Sequence, residues 1–324
     1  MMNKKSTKSL LKENPITRYL IRNGGIIVAI ILVGIIISLQ NDVFLTKTNL
    51  TNVLRQMTTN ILLTYGMTCA LLIGAIDLSV GSTVAASGCI LVMLVRAEIP
   101  FAVAIIVSIL FGAIIGVINA TIINSTNLPP FIVTLAMQKI IRGIGYIVTN
   151  GSPVQLINDN FKFLGSGYFL GIPVPVCVVI VITIVLIILL NQTKFGRHVY
   201  AVGGNIEAAK FSGVKIGKIR VSVYVISGIC AAIAGILLAA RMYSGQPELA
   251  TGYESDAIAA SVLGGVRFTG GCGTIGGAIL GSIMMAVLNN GMNLLGFPKY
   301  VQTIIQGAVI LIAVIIDSYK RSKK

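Results

Sequence analysis

Two apolar runs, residues 172–190 and 221–240, contain no charged side chain. Each is close to the ~20 residues that an α-helix needs to cross the hydrocarbon core of a bilayer. A segment in lipid must satisfy its backbone amides internally, so runs of this kind are expected to be helical. The composition agrees: 55% of the 324 residues are apolar and 11% are charged, where a soluble domain carries about 25% charged residues. Both facts argue against a large soluble protein with an unusually apolar core.

Ten apolar stretches can be marked, at 24–39, 56–76, 78–95, 99–123, 131–149, 172–190, 221–240, 257–266, 273–295 and 300–316. The eighth is too short for a simple span and reads as a broken helix joined to the glycine-rich stretch after it. The net charge is +15. The basic residues flank apolar runs, which makes them a topology signal rather than a nucleic-acid footprint. With both termini in the cytoplasm, segments 1–23, 191–220 and 317–324 hold sixteen Lys and Arg, against five in 40–55, 96–98, 150–171 and 241–256. Basic residues concentrate on the cytoplasmic side of membrane proteins, and ten crossings return the chain to its starting side. Lys4, Lys5, Lys8 and Lys12 precede the first stretch as they would in a signal peptide. However, Gly24–Leu39 runs into Gln40-Asn41-Asp42 with no small-x-small cleavage pattern, so an uncleaved first span is expected. The expected organisation is a basic cytoplasmic N-terminus (1–23), a transmembrane domain (24–316) containing a cytoplasmic loop (191–220), and a basic cytoplasmic tail (317–324).

The fourth and ninth stretches share a pattern. Gly112, Gly116 and Ala120 recur at the spacing of Gly273, Gly277 and Gly281, and small residues every four positions let helix backbones approach closely. Asparagines follow in both (Asn119 and Asn124, then Asn289, Asn290 and Asn293), and prolines come next, Pro129-Pro130 and Pro298. Recurrence five spans apart points to an inverted repeat. The expected fold is therefore an all-α integral membrane protein of about ten transmembrane helices, in two inverted five-span halves with broken helices.

The five cysteines, Cys69, Cys89, Cys177, Cys230 and Cys272, have no metal-ligand spacing, and His198 is the only histidine. They read as small apolar fillers, with no metal or cofactor expected. Two places interrupt the helical pattern: Ile76–Ser82, and 264–281 with eight glycines in 18 residues. Irregular backbone at membrane depth survives only inside protein or beside water, so both are candidates for a polar path. Asp77, with Ser79 two residues on, can line that path or cap the helix that follows. Arg142 can face a pore, pair with an acid, or snorkel towards the interface.

The longest basic inner loop, Asn191–Arg220, contains a short helix with defined ends. Gly203-Gly204 make a turn, Asn205 can cap the first amides, and Glu207 lies in the positive first turn. Gly213 falls just past the end, where positive φ is needed. Such a helix suits docking into a partner's groove, to which Ala208 and Ala209 allow close approach. It can equally be a solvated loop helix.

Glu207-Ala208-Ala209, three residues and Gly213 resemble the EAA loop of ABC-importer permeases. More of the chain is similar to the ribose-type sugar permeases of the branched-chain amino acid/monosaccharide permease family. The matching blocks are GMTCALLIGAIDLSVGS (66–82), PPFIVTLAMQKIIRGIGYIVTNGSPV (129–154), FGRHVYAVGGNIEAAKFSGVKIGKI (195–219), YESDAIAASVLGG (253–265) and LNNGMNLLGF (288–297). The resemblance covers roughly 15–318. Ala75 departs from a glycine common in relatives, and Cys272 from a position often basic; both weaken any transfer of an exact substrate.

The resemblance implies the channel-forming subunit of an ATP-driven monosaccharide importer for ribose or a similar sugar, in the bacterial cytoplasmic membrane. Its partners would be a second permease copy, a cytoplasmic ATPase subunit and an extracytoplasmic sugar-binding protein. The coupling loop would be carried by Gly196, Arg197, Gly203, Gly204, Asn205, Glu207, Ala208, Ala209 and Gly213. Asn119, Asn289, Asn290 and Asn293 can contact sugar hydroxyls or bond neighbouring helices. No G-x-x-x-x-G-K-[ST] is present: Gly217-Lys218 is followed by Ile219, so ATP hydrolysis is expected from another chain. Two alternatives stand beside this reading. A secondary active transporter uses inverted repeats equally well but needs mid-membrane ionisable groups, for which only Asp77, Lys139 and Arg142 offer themselves. A membrane enzyme needs a cluster of His, Asp, Glu or Cys, and the sequence has none.

Overall fold

The computed structural model describes residues 15–126 and 128–322. The lysines at 4, 5, 8 and 12 and the last two residues of the basic tail lie outside the described residues. The helices are α1 (Pro15–Gln40), α2 (Lys47–Leu72), α3 (Val80–Arg96), α4 (Phe101–Thr126), α5 (Pro130–Val148), α6 (Asp159–Ser166), α7 (Val174–Gln192), α8 (Lys194–Gly204), α9 (Ile206–Phe211), α10 (Ile216–Met242), α11 (Tyr253–Leu263), α12 (Ile275–Leu294) and α13 (Lys299–Ser322). Two antiparallel pairs of two-residue strands accompany them: β1 (Val154–Gln155) with β4 (Ser244–Gly245), and β2 (Tyr168–Phe169) with β3 (Ile172–Pro173). The chain is all-α.

Local chemistry sets several helix starts. Thr46 and Thr274 accept hydrogen bonds from the third amides of α2 and α12, at 3.3 and 3.1 Å, which satisfies donors that a helix leaves open. Pro130 opens α5 and Pro175 lies in the first turn of α7, where the missing N–H has no intrahelical partner to lose.

The expectation of about ten spans is not met. Among the described residues, six helices are long and apolar enough to cross a membrane, at Asn23–Gln40, Phe101–Thr126, Pro130–Val148, Val174–Gln192, Ile216–Met242 and Ile275–Leu294. The other four apolar stretches fall short for distinct reasons. The second is carried by α2, where Asn49, Arg55, Gln56, Asn60 and a series of threonines dilute the apolar run. The third becomes α3, of 17 residues, and the eighth becomes α11, of 11. In the last, the stretch of α13 assessed among the described residues, Lys299–Ile312, is shorter than a span. The arrangement in two inverted five-span halves falls with the count.

The bundle is built around α10. Of its apolar window 78% is buried, against 11% for α1, and it packs on α2, α3 and α4. Small residues allow this. A methyl group on Gly112 would strike the carbonyl of Gly228, and one on Gly116 the carbonyl of Tyr224, so α4 and α10 cross in backbone contact. The second glycine series works likewise: methyl groups on Gly277 and Gly281 would strike the carbonyls of Gly264 and Ala260, which holds α12 against α11. Gly273 precedes that helix in the loop.

Candidate functional site

In the 191–220 loop, Asn205 Oδ1 accepts from the Ala208 amide at 3.0 Å and starts α9. Glu207 lies in the first turn. Gly213 has φ +80°; its amide reaches the Lys210 carbonyl, and the Val214 amide the Ala209 carbonyl, both at 3.0 Å. These two bonds form a Schellman end, which needs a left-handed residue at this point. The helix is thus closed at both ends by its own sequence.

Its faces are unequal. Ala209 is buried in the largest core cluster, so it seats the helix on its own chain and does not face outward beside Ala208. Glu207, Ala208 and Lys210 are exposed, and Phe211 is 88% exposed. The sequence reading passed over Phe211; its signal is a large aromatic in a short, capped loop helix that offers it no internal partner.

The preceding helix joins this loop to the bundle. Gly196 turns tightly against the carbonyl of Leu190, and Thr193 Oγ1 accepts from its amide at 3.3 Å. At the other end of α8, a methyl on Gly203 would strike the Leu72 carbonyl and the Gly271 amide. That amide donates to the same Leu72 carbonyl at 2.9 Å, and Tyr200 Oη donates to the Gly273 carbonyl at 3.0 Å. The end of α8, the end of α2 and the glycine-rich loop before α12 therefore meet at one point. Gly204 is exposed beside it, and Arg197 is exposed on the wall of a cavity of about 570 Å³ that Arg267 and Cys272 share.

The interruption after α2 holds a buried polar chain. Asp77 Oδ1 accepts from the Ser79 amide (3.1 Å) and hydroxyl (2.6 Å), and Oδ2 accepts from Ser227 Oγ of α10 at 2.7 Å. Asn119 Nδ2 of α4 donates to Ser79 Oγ at 2.9 Å. All four residues are at most 2% exposed. Asp77 thus braces the turn before α3 and ties it to α10. Arg142 donates to the carbonyls of Pro247 (2.5 Å) and Leu249 (2.7 Å), fastening α5 to the segment before α11.

The remaining asparagines of α12 separate into two roles. Asn290 pairs with Asn49 of α2. Asn289 and Asn293 accept from Gln306 and Gln302 of α13, at 2.9 and 2.8 Å, and both line a polar cavity between α2, α11, α12 and α13.

Residues 49–314 match the family described as "Branched-chain amino acid transport system / permease component". The chain belongs to this family. It is 41% identical to the ribose import permease protein of Bacillus subtilis (strain 168), over 91% of this chain and 92% of that one. It is 39% identical to the ribose import permease protein of Escherichia coli (strain K12), over 94% and 95%. To the L-arabinose ABC transporter permease protein of Azospirillum brasilense it is 37% identical, over 94% and 90%. No solved structure matches the chain. As a permease, this protein is a multi-pass inner-membrane subunit of an ABC transporter and not its ATPase. The family match runs through α2–α12 and most of α13, and so includes the capped loop helix and both interrupted segments.

Proposed function

We propose that this permease carries a monosaccharide, ribose or a similar sugar, into the cytoplasm, and that its 191–220 loop is where the ATPase subunit docks. The relatives are import permeases for ribose and a permease for L-arabinose, which supports the solute class. The importer works with an ATPase subunit, an extracytoplasmic sugar-binding protein and a second permease copy. The docking assignment rests on one observation above the others: α9 is capped at both ends, seated through Ala209, and presents Phe211 outward. Displacement of α9 would pass through α8 to the junction of Gly203, Leu72 and Gly271, and so to the breaks before α3 and α12. Gly196, Arg197, Gly204, Asn205, Glu207, Ala208 and Gly213 shape or flank this contact.

Both termini and the 191–220 loop are assigned to the cytoplasm, with 1–23 and 317–324 as basic flanks of the 24–316 membrane domain. The sixteen-to-five excess of Lys and Arg supports this. With Cys177→Ser and Cys272→Ser as background, a cysteine placed at Ala201 should resist an impermeant thiol reagent in sealed cells, and one placed at Asp159 should react. Labelling at position 201 from outside would refute the orientation. For transport itself, the reconstituted complex should take up labelled D-ribose, L-arabinose or D-galactose only with ATP; uptake persisting without nucleotide would indicate a secondary transporter.

A further inference from the structure

The cavity between α2, α11, α12 and α13 has a volume of about 130 Å³, and every residue lining it is polar. That volume equals roughly four water molecules at ~30 Å³ each, the scale of one sugar ring. Six of the nine lining residues are carboxamides: Gln56, Asn60, Asn289, Asn293, Gln302 and Gln306. Tyr253, Asp256 and Lys299 complete the wall. Such a concentration is costly inside a helix bundle unless the groups find partners.

The bonds within the wall use only part of its capacity. Each carboxamide has two N–H donors and an oxygen with two acceptor sites. Asn289 accepts one bond from Gln306, Asn293 accepts one from Gln302, and Gln302 also donates to the Phe297 carbonyl at 2.8 Å. The amide nitrogens of Asn289 and Asn293 and the side-chain oxygens of Gln302 and Gln306 remain available. Gln56 and Asn60 add two carboxamides from α2. Asn293 and Lys299 are exposed and form the mouth.

Free donors and free acceptors both line this small space, whose opposite charges, Asp256 and Lys299, balance. A hydroxyl group both donates and accepts, so a ring carrying several of them matches this wall. The surface here is mostly polar, so a branched aliphatic side chain would leave polar groups without partners, and a net ionic solute would find no excess charge. We propose that this cavity is a monosaccharide-binding station within the permease, where the carboxamides of α2, α12 and α13 exchange hydrogen bonds with sugar hydroxyls. The proposal rests on the importer reading for the class of solute and adds the place where the permease holds it. Several partial partners give a hold from which the sugar can leave.

The test uses the permease assembled with its ATPase in nanodiscs, carrying Lys299→Cys at the mouth with Cys177→Ser and Cys272→Ser. The rate of reaction with a bulky maleimide is followed against rising D-ribose, L-arabinose, D-galactose and, for contrast, L-leucine. At least one sugar should slow labelling severalfold and L-leucine should not. Asn60→Leu or Gln56→Leu should weaken that protection about tenfold, the scale of one hydrogen-bonded partner lost, in samples whose ATPase subunit stays bound. If no sugar slows labelling while proteoliposomes of the same protein, given its sugar-binding protein, take sugar up with ATP, the station is refuted and the importer reading stands. Protection without uptake would keep the station and overturn the importer reading. Protection by L-leucine alone would refute the ligand class.

Discussion

Asn49 and Asn290 form a reciprocal carboxamide pair across 241 residues of sequence: Asn49 Nδ2 lies 3.0 Å from Asn290 Oδ1, and Asn290 Nδ2 lies 2.9 Å from Asn49 Oδ1. Asn49 also donates to the Phe44 carbonyl at 2.8 Å. Both side chains are buried, so each amide is the other's substitute for water, and the pair clamps the first turn of α2 to the last turns of α12.

This pair should show the asymmetry of buried hydrogen bonds. Asn290→Leu strands two groups of Asn49 and is expected to destabilise the permease by about 1–3 kcal/mol. The double replacement Asn49→Leu/Asn290→Leu removes both members of the pair, leaving only the Phe44 carbonyl without its donor, and should cost less than the sum of the single changes. Thermal unfolding of the four variants in detergent gives the coupling, expected at about 0.6–2 kcal/mol. Strict additivity would mean that the two amides do not bond.

Asp77 should tolerate a change of charge better than a loss of shape. Its oxygens receive the Ser79 amide, the Ser79 hydroxyl and the Ser227 hydroxyl. Asp77→Asn keeps one acceptor for Ser79, and the Ser227 hydroxyl can rotate to accept. Asp77→Ala leaves all three donors without that partner, and is expected to cost about 2–4 kcal/mol more than Asp77→Asn. Unfolding midpoints decide this; equal losses for the two variants would remove the bracing role.

Gly203→Val should separate folding from transmission. Its methyl groups would enter the space of the Leu72 carbonyl and the Gly271 amide, pushing α8 from the junction at a local cost of about 1–3 kcal/mol. The apolar helices are untouched, so membrane insertion should match wild type. The ATPase subunit should remain bound while stimulation of its turnover by the sugar-binding protein falls severalfold. Full stimulation in this variant would mean that the junction does not carry the motion.

What the sequence makes legible here is local. The cap at Asn205, the left-handed Gly213 and the apolar stretches all depend on residues within a few positions of each other. The span count was misjudged because hydropathy and helix length are separate requirements: α3 and α11 are apolar but short, and α2 is long but polar. Ser227 for Asp77, Ser79 for Asn119 and Asn49 for Asn290 lie 40 to 241 residues from their partners, and no local pattern names these pairings. The inward turn of Ala209 and the outward turn of Phe211 depend on the angle at which α9 meets α8, a tertiary quantity. The carboxamide cavity was half visible, as asparagines on α12; its other walls come from α2, α11 and α13.

The docking surface can be tested on the face that the structure exposes. Phe211 is almost fully exposed and Ala209 is buried, so substitutions at the two positions should act differently. Phe211→Ala removes an aromatic that touches little of its own chain, and should change permease stability by no more than about 0.5 kcal/mol. If it fills a pocket of the ATPase subunit, affinity should fall by about 2 kcal/mol, roughly 30-fold, with sugar uptake falling alongside. Gly213→Val forces a β-branched residue into the left-handed region at a cost of about 1–2 kcal/mol. It should tilt the helix, weakening ATPase binding together with the local fold. Comparing the pair separates lost contact from lost shape: the first variant should unfold like wild type and bind poorly, whereas the second should do both poorly. Affinity is read by titrating ATPase subunit onto permease in nanodiscs, and uptake in proteoliposomes made from the same samples. Normal binding by Phe211→Ala would take this helix face out of the interface and leave the docking assignment without its main support.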